Sequence, residues 1–248
     1  VTDGGSGSGG AGSGPEGGAA TGPPADLGLV YVDDLDRPTL ADDDHHHLAR
    51  VRRLRPGQPI VVGDGAGRWR TAAFGPAPEP TGPIERAERP APEVGVAFAL
   101  VKGAKPELAV QKLTELGVDR IVPFVAARSV VRWDQAKADA GHRRLERVAR
   151  EAAMQSRQAW IPTVEPVASF AAVADRPGAS LAERGGDGPT LDRPFLLVGP
   201  EGGWDPSELA VDLPRTALAG GVLRAETAAI VAGSLLVALR AGLVAPGR

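Results

Sequence analysis

The 248-residue sequence contains no cysteine. That excludes disulfide staples, thiolate-held metals and a cysteine nucleophile. It fits a reducing compartment, so a cytoplasmic location is expected. No apolar run approaches the roughly 20 residues that a membrane-spanning helix needs. The N-terminus also lacks the basic-then-apolar pattern of an export signal, and no membrane partner is expected. Lysine is scarce, 4 residues against 24 arginines. The formal net charge of −3 argues against a uniformly basic nucleic-acid binder. Basic character is local instead. Residues 45–70 carry Arg50, Arg52, Arg53, Arg55, Arg68 and Arg70 against Asp64 alone, and residues 128–157 carry eight basic and four acidic groups. Each stretch is compatible with a phosphate-rich partner or with a solvated helix face.

What is present changes character along the chain. Residues 1–26 are Gly/Ser-rich, with no large apolar residue between Val1 and Pro24; such a segment buries too little to offset its ordering entropy and reads as a disordered tail. Residues 27–90 read as a small β-rich domain: a strand in LGLVYVDDL, a short helix in DDDHHHLARVRRLRPG, and a hairpin in QPIVVGDGAGRWRTAAF. Six prolines over 75–93 mark a linker. From residue 91 onward, strand and helix alternate. VGVAFALV, DRIVPFVAA, PFLLVG and PRTALAG read as strands. PELAVQKLTELG, with Leu108, Val110, Leu113 and Leu116 as its apolar stripe, reads as a helix, as do DQAKADAGHRRLERVAREAAMQS and ETAAIVAGSLLVALRAG. Repeated β-α units predict a parallel α/β sheet with helices on both faces and ligands beyond the carboxyl ends of its strands.

The pentapeptide GPEGG occurs twice, at 14–18 and 199–203. The first copy has no strand before it and no helix after it. The second follows the apolar strand Phe195–Val198 and precedes Asp205, Pro206 and Glu208, which have the spacing of a helix cap, a first-turn proline and a capping box. It is therefore expected to be a strand-to-helix turn whose glycines let a ligand approach the backbone. It is neither GxxxxGK[ST] nor GxGxxG, and Glu201 would repel a pyrophosphate. A carboxylate in such a loop suits a cationic or hydroxyl-bearing ligand, such as S-adenosylmethionine with its sulfonium, ammonium and ribose. LAGGVLRAETAA, residues 218–229, supplies a second glycine-bearing loop before a helix, and the two loops are able to clasp one cofactor.

The ordered motifs KGAKPELAVQKLTELGVDRIVPFVAARSVVRW, REAAMQSRQAWIP, LLVGPEGGW and LRAETA resemble the ribosomal small-subunit methyltransferase E family, 16S ribosomal RNA uridine-N3 methyltransferases of the SPOUT class. HHHLARVRRLRPGQPIVVGDGAG resembles that family's PUA-like domain. The resemblance spans about residues 28–245. It implies a PUA-like RNA-binding β domain over 27–90 and a trefoil-knotted SPOUT domain over 91–248. It also implies a homodimer, S-adenosylmethionine as cofactor, 16S ribosomal RNA or the small ribosomal subunit as partner, and methyl transfer to uridine N3.

Carried over by motif, the implied cofactor-binding residues are Leu197, Val198, Gly199, Pro200, Glu201, Gly202 and Gly203 in one loop. In the other they are Leu218, Ala219, Gly220, Val222 and Leu223, followed by Thr227. Arg224, Glu226 and Thr227 fall in the L-R-x-E-T-A element. Gly221 stands where the family often has arginine, and Gly28-Leu29 replaces an early arginine. Arg224 is a candidate for stabilising charge on a uracil oxygen or holding a phosphate. Glu201 is a candidate for cofactor contact or proton acceptance. Arg50, Arg52, Arg53, Arg55, Arg128, Arg132 and Arg157 are candidates for RNA phosphate, Gln155 and Ser156 for the substrate cleft, and Trp69 or Trp133 for base stacking or packing. Glu115 is placed to pair with Lys112 or Gln111. His45, His46 and His47 point in different directions on a helix, so no metal site is expected. Two further readings share the scaffold: an RNA-binding protein without catalysis, and a methyltransferase acting on transfer RNA.

Overall fold

The computed structural model describes residues 22–101, 105–129 and 133–245. The first GPEGG copy and Arg132 lie outside these residues, as does nearly all of the expected tail.

The first sheet is built from β1 (Gly28–Tyr31), β2 (Pro59–Gly63), β3 (Arg68–Ala73), β4 (Glu79–Pro80) and β5 (Glu85–Arg86). β1 and β2 are parallel, whereas β2 and β3 form the expected antiparallel hairpin. Between β1 and β2 runs α1 (Asp42–His46), which widens into a π turn over His47–Val51. Strand alternation buries both faces of this sheet. Val30, Ile60, Val62 and Phe74 pack under Leu48 of the π turn, while Leu29, Tyr31, Val61 and Trp69 pack against Ala153 of the second half. The hairpin turn is shaped by that second contact. Gly65 takes a positive φ of 69°, and a Cβ there would lie 2.5 Å from Ile161; Gly67 donates its N–H to Ala159 O at 3.0 Å.

The second sheet contains β6 (Gly95–Ala99), β7 (Arg120–Val125), β8 (Thr163–Val164), β9 (Ala168–Ser169), β10 (Ala179–Asp187), β11 (Phe195–Val198) and β12 (Arg215–Thr216). Its order is β12-β10-β11-β6-β7-β8, with β9 also on β7, and every pairing is parallel. α2 (Lys105–Leu116), α3 (Gln135–Gln155) and α6 (Ala225–Arg240) cover one face. α4 (Phe170–Ala174), α5 (Pro206–Leu209) and Trp204 cover the other. Because both faces are covered, β6, β7 and β11 are continuous apolar runs. Leu196 and Val198 face the α2–α6 side, Phe195 and Leu197 the Trp204 side. Gly233 lets α6 lie against Leu113 and Val118. Buried Asp119 pairs with Arg240 and accepts from Val94 N–H at 2.9 Å, fixing the end of α6 beneath the sheet.

The structure departs from the sequence-based expectation in several places. The proline-rich segment 75–93, expected to be a linker, contributes β4 and β5, both paired with β3. The short elements β8, β9 and α4 are absent from the expectation. β10 was not foreseen: only Ala179–Leu181 are buried, and the rest of the strand is polar. The strand expected to reach Ala219 stops at Thr216, so more of the following loop is free. Leu108 is not on the core side of α2; it is 41 % exposed and lines a cleft towards the first sheet.

Candidate cofactor cavity and its charged rim

β11 ends at Val198, and Pro200 to Gly203 make a turn closed by Gly203 N–H donating to Pro200 O at 2.9 Å. Gly203 needs its positive φ of 71°, which glycine adopts without steric cost. Beneath the turn lies Trp204, 5 % exposed, stacked on Phe124 and donating its indole N–H to Ala182 O at 3.0 Å. A Cβ on Gly199 would come within 2.9 Å of that indole. The helix cap forms as the sequence suggests. Asp205 accepts from Ser207 N–H at 3.1 Å, and Glu208 Oε2 accepts from Asp205 N–H at 2.9 Å. Buried Glu208 also accepts from Ala127 N–H at 2.8 Å, which ties the loop to the end of β7. Arg128 adds a second tie, donating to Gly202 O at 3.2 Å.

Above the turn, Glu201 forms an ion pair with Lys105 at the start of α2, and Lys105 Nζ also lies 3.5 Å from Glu226 Oε2 in the first turn of α6. The Lys105 hydrogen bond holds the Glu201 carboxyl below its ordinary range, with Arg224 adding a smaller pull in the same direction. Reciprocally, Glu201 raises the Lys105 ammonium. Both are therefore charged at neutral pH.

A cavity of about 250 Å³ opens beside this turn. Val198, Gly199, Pro200, Glu201 and Gly203 line one wall, and Leu218, Ala219, Val222 and Leu223 line the facing wall. The floor is closed by Ala182, Glu183 and Arg184 from β10, a strand absent from the sequence-based expectation. Gly220 faces an adjoining open depression with Arg184. The remaining candidates lie off these walls. Leu197 is buried in the core, Gly202 sits against Arg128, and Arg224 and Thr227 are exposed at the start of α6.

The other candidates scatter. Arg50, Arg52, Arg53 and Arg55 are exposed on and after the π turn. Arg157, with φ 60°, donates to Met154 O at 3.1 Å, and burial together with nearby Arg52 pulls its guanidinium below the usual range. Arg52, Gln155 and Arg157 line a cleft of about 730 Å³ between the two sheets, yet Asp43, Glu107, Glu115 and Glu151 line it too, so it is a poor cradle for phosphate. Lys112 pairs with Glu115 at 2.8 Å. His45 stacks on Phe74, Trp69 is buried, and Trp133 packs on Gly141. Among the described residues, no group of three or more His, Cys, Asp or Glu is placed to hold a metal, and no helix is long and apolar enough to cross a membrane. Sequence reasoning missed Lys105 as a partner of Glu201 and missed the 182–184 floor. Position was the available signal for Lys105: a cation opening a helix after a buried strand.

The profile of the RNA methyltransferase domain family matches residues 87–237, and that of the RNA methyltransferase PUA domain matches residues 40–75. The chain is 38 % identical over 232 residues to the ribosomal RNA small subunit methyltransferase E of Mycobacterium bovis, covering 82 % of this chain and 88 % of that one. The crystal structure of a probable rRNA-methyltransferase from Porphyromonas gingivalis superposes with a TM-score of 0.72 at 28 % identity, over 88 % of this chain and all of that one. That of a ribosomal RNA small subunit methyltransferase E from Neisseria gonorrhoeae bound to S-adenosyl methionine gives 0.69 at 25 % identity, over 86 % and 98 %.

Proposed function

This chain belongs to the ribosomal RNA small subunit methyltransferase E family, and on that premise we propose that it methylates N3 of a uridine in 16S ribosomal RNA, as a cytoplasmic homodimer using S-adenosylmethionine. In this reading residues 27–90 are the PUA-like RNA-binding domain and residues 91–248 the trefoil-knotted SPOUT domain. The observation that carries it is the convergence of both glycine-bearing loops and the end of β10 on one cavity at the carboxyl ends of parallel strands, where α/β sheets bind ligands.

The cavity's chemistry fits that cofactor. Val198, Leu218 and Leu223 offer an apolar wall for an adenine ring, Gly199 and Gly203 leave backbone unobstructed, and the carboxylates of Glu183 and Glu201 complement a cation. When bound, S-adenosylmethionine supplies a methyl group on a sulfonium leaving group. The protein orients the two reactants, excludes water and manages the N3 proton. Glu201, already paired with Lys105, suits cofactor contact better than proton acceptance. Exposed Arg224, close enough to act on Glu201, supplies positive charge for a uracil oxygen or a phosphate. Arg50, Arg53, Arg55, Arg128 and Arg132 contribute phosphate contacts, which predicts affinity that falls steeply with salt, whereas Arg52 and Arg157 face the acidic cleft. Exposed Leu243 is apolar surface that a second copy would cover.

The test is to incubate the protein with small ribosomal subunits lacking the modification and S-adenosylmethionine, then map methylated nucleosides by mass spectrometry. One N3-methyluridine in 16S RNA supports the reading. Methylation of transfer RNA alone, or cofactor-independent RNA binding without transfer, contradicts it.

A further inference from the structure

The charged rim contains one group that the structure leaves unsatisfied. Glu226 Oε2 is shut off from solvent and has no hydrogen-bond partner among the described residues, and the side chain as a whole is 12 % exposed. Buried carboxylate oxygens are ordinarily hydrogen-bonded, and an exception calls for an explanation, a catalytic role among them. Its nearest cation, Lys105 Nζ, stands 3.5 Å away and is engaged by Glu201. Glu226 follows Ala225, which lines the cofactor cavity, and Arg224 precedes it as the helix N-cap residue. The charged groups around this point are Lys105 from α2, Glu201 from the loop after β11, and Arg224 and Glu226 from α6.

Uracil presents, in order along one edge, a carbonyl oxygen, the N3 proton and a second carbonyl oxygen. Its complement is donor, acceptor, donor. The Lys105 ammonium, the Glu226 carboxylate and the Arg224 guanidinium provide that set of groups: Arg224 and Glu226 flank Ala225, which lines the cavity, and Lys105 reaches both Glu226 and cavity-lining Glu201. We propose that Glu226 is the carboxylate that accepts the N3 proton of the target uridine, with Lys105 and Arg224 binding the flanking carbonyl oxygens. The N3–H bond breaks and its proton moves to the Glu226 carboxylate, whose side chain keeps 12 % exposure. The N3 electron pair forms the new bond to the methyl carbon, and the carbon–sulfur bond breaks with its pair left on sulfur. Charge that builds on the uracil oxygens is met by Lys105 and Arg224. A carboxylate in this role contributes about 10²–10⁴-fold to the rate.

The inference rests on the methyltransferase reading, and the experiment separates the two. Small subunits are reconstituted with 16S RNA transcribed with uridine or with 5-fluorouridine, whose N3 proton is more acidic. Wild type, Glu226→Gln and Lys105→Met are compared in single-turnover methyl transfer and in calorimetric titration with S-adenosylmethionine. The expected result is that Glu226→Gln binds the cofactor as wild type does and loses about 10²–10⁴-fold in transfer to uridine RNA. Much of that deficit should vanish on 5-fluorouridine RNA. Lys105→Met, altered at a partly exposed position, shows a smaller deficit that also shrinks. A Glu226→Gln rate equal to wild type, or an equal deficit on both RNAs, overturns the role of Glu226 while leaving the methyltransferase reading standing. Wild type that neither binds the cofactor nor transfers a methyl group removes that reading and this inference together.

Discussion

The two loops that wall the cavity are built on opposite principles. Residues 199–203 are braced at several points. Trp204 lies beneath, Arg128 and Glu208 hold the flank, and Lys105 holds Glu201 above. Residues 218–223 have little of this. Val222 is 82 % exposed, and a Cβ on Gly220 or Gly221 would meet nothing within 4 Å. The contrast suggests a division of labour. The first loop is pre-organised, so a ligand loses little in ordering it, whereas the second retains room to close over what binds. It follows that changes beneath the first loop should act on fold and binding together, and changes in the second should leave the fold alone.

The largest effect is expected from Trp204→Ala, which empties the support under Gly199. It should cost about 3–5 kcal/mol of stability in denaturant titration and abolish cofactor binding; unchanged binding would show that the brace is dispensable. Glu208→Ala comes next, because it leaves Asp205 N–H and Ala127 N–H without their acceptor. About 1–3 kcal/mol is expected from that loss, against a much smaller change for Ser207→Ala on the solvent side of the same cap. The Lys105–Glu201 tie should appear as a titration. Lys105 lowers the Glu201 carboxyl below its unperturbed value of 4.5, so the tie is intact above that value and opens as pH falls through the folded one. Carbon-13 NMR should find the Glu201 midpoint below 4.5 in wild type and higher in Lys105→Met; equal midpoints would break the account of this contact. The smallest effect belongs to the second loop. Gly221→Arg, which restores the residue the family often carries, meets open space and should change stability by no more than about 0.5 kcal/mol.

The braced loop was also the more legible one. Its strand, glycines, Asp205 cap and capping box are local signals, and each is realised. Its braces were not legible. Lys105 and Glu201 are 96 positions apart and Ala127 and Glu208 are 81 apart, and periodicity reports which face a residue takes, not what it meets there. β10 escaped for a different reason. Its register on β11 uses three buried residues, and the strand then runs on beside β12 through half-buried and exposed, mostly polar positions, so its apolar signal is too short to stand out. Leu108 shows the limit of an apolar stripe: it has the right residue type near the right spacing, but α2 turns it towards the cleft.

The most direct test of the central claim, that both loops enclose one cofactor site, is calorimetric titration of S-adenosylmethionine into wild type and into Ala219→Trp. Ala219 is exposed and lines the 250 Å³ cavity, so tryptophan there fills the space without disturbing the core. Saturable one-site binding is expected in wild type, and its loss in the variant at an unchanged melting temperature. No binding by folded wild type, or equal binding by the filled variant, would contradict it.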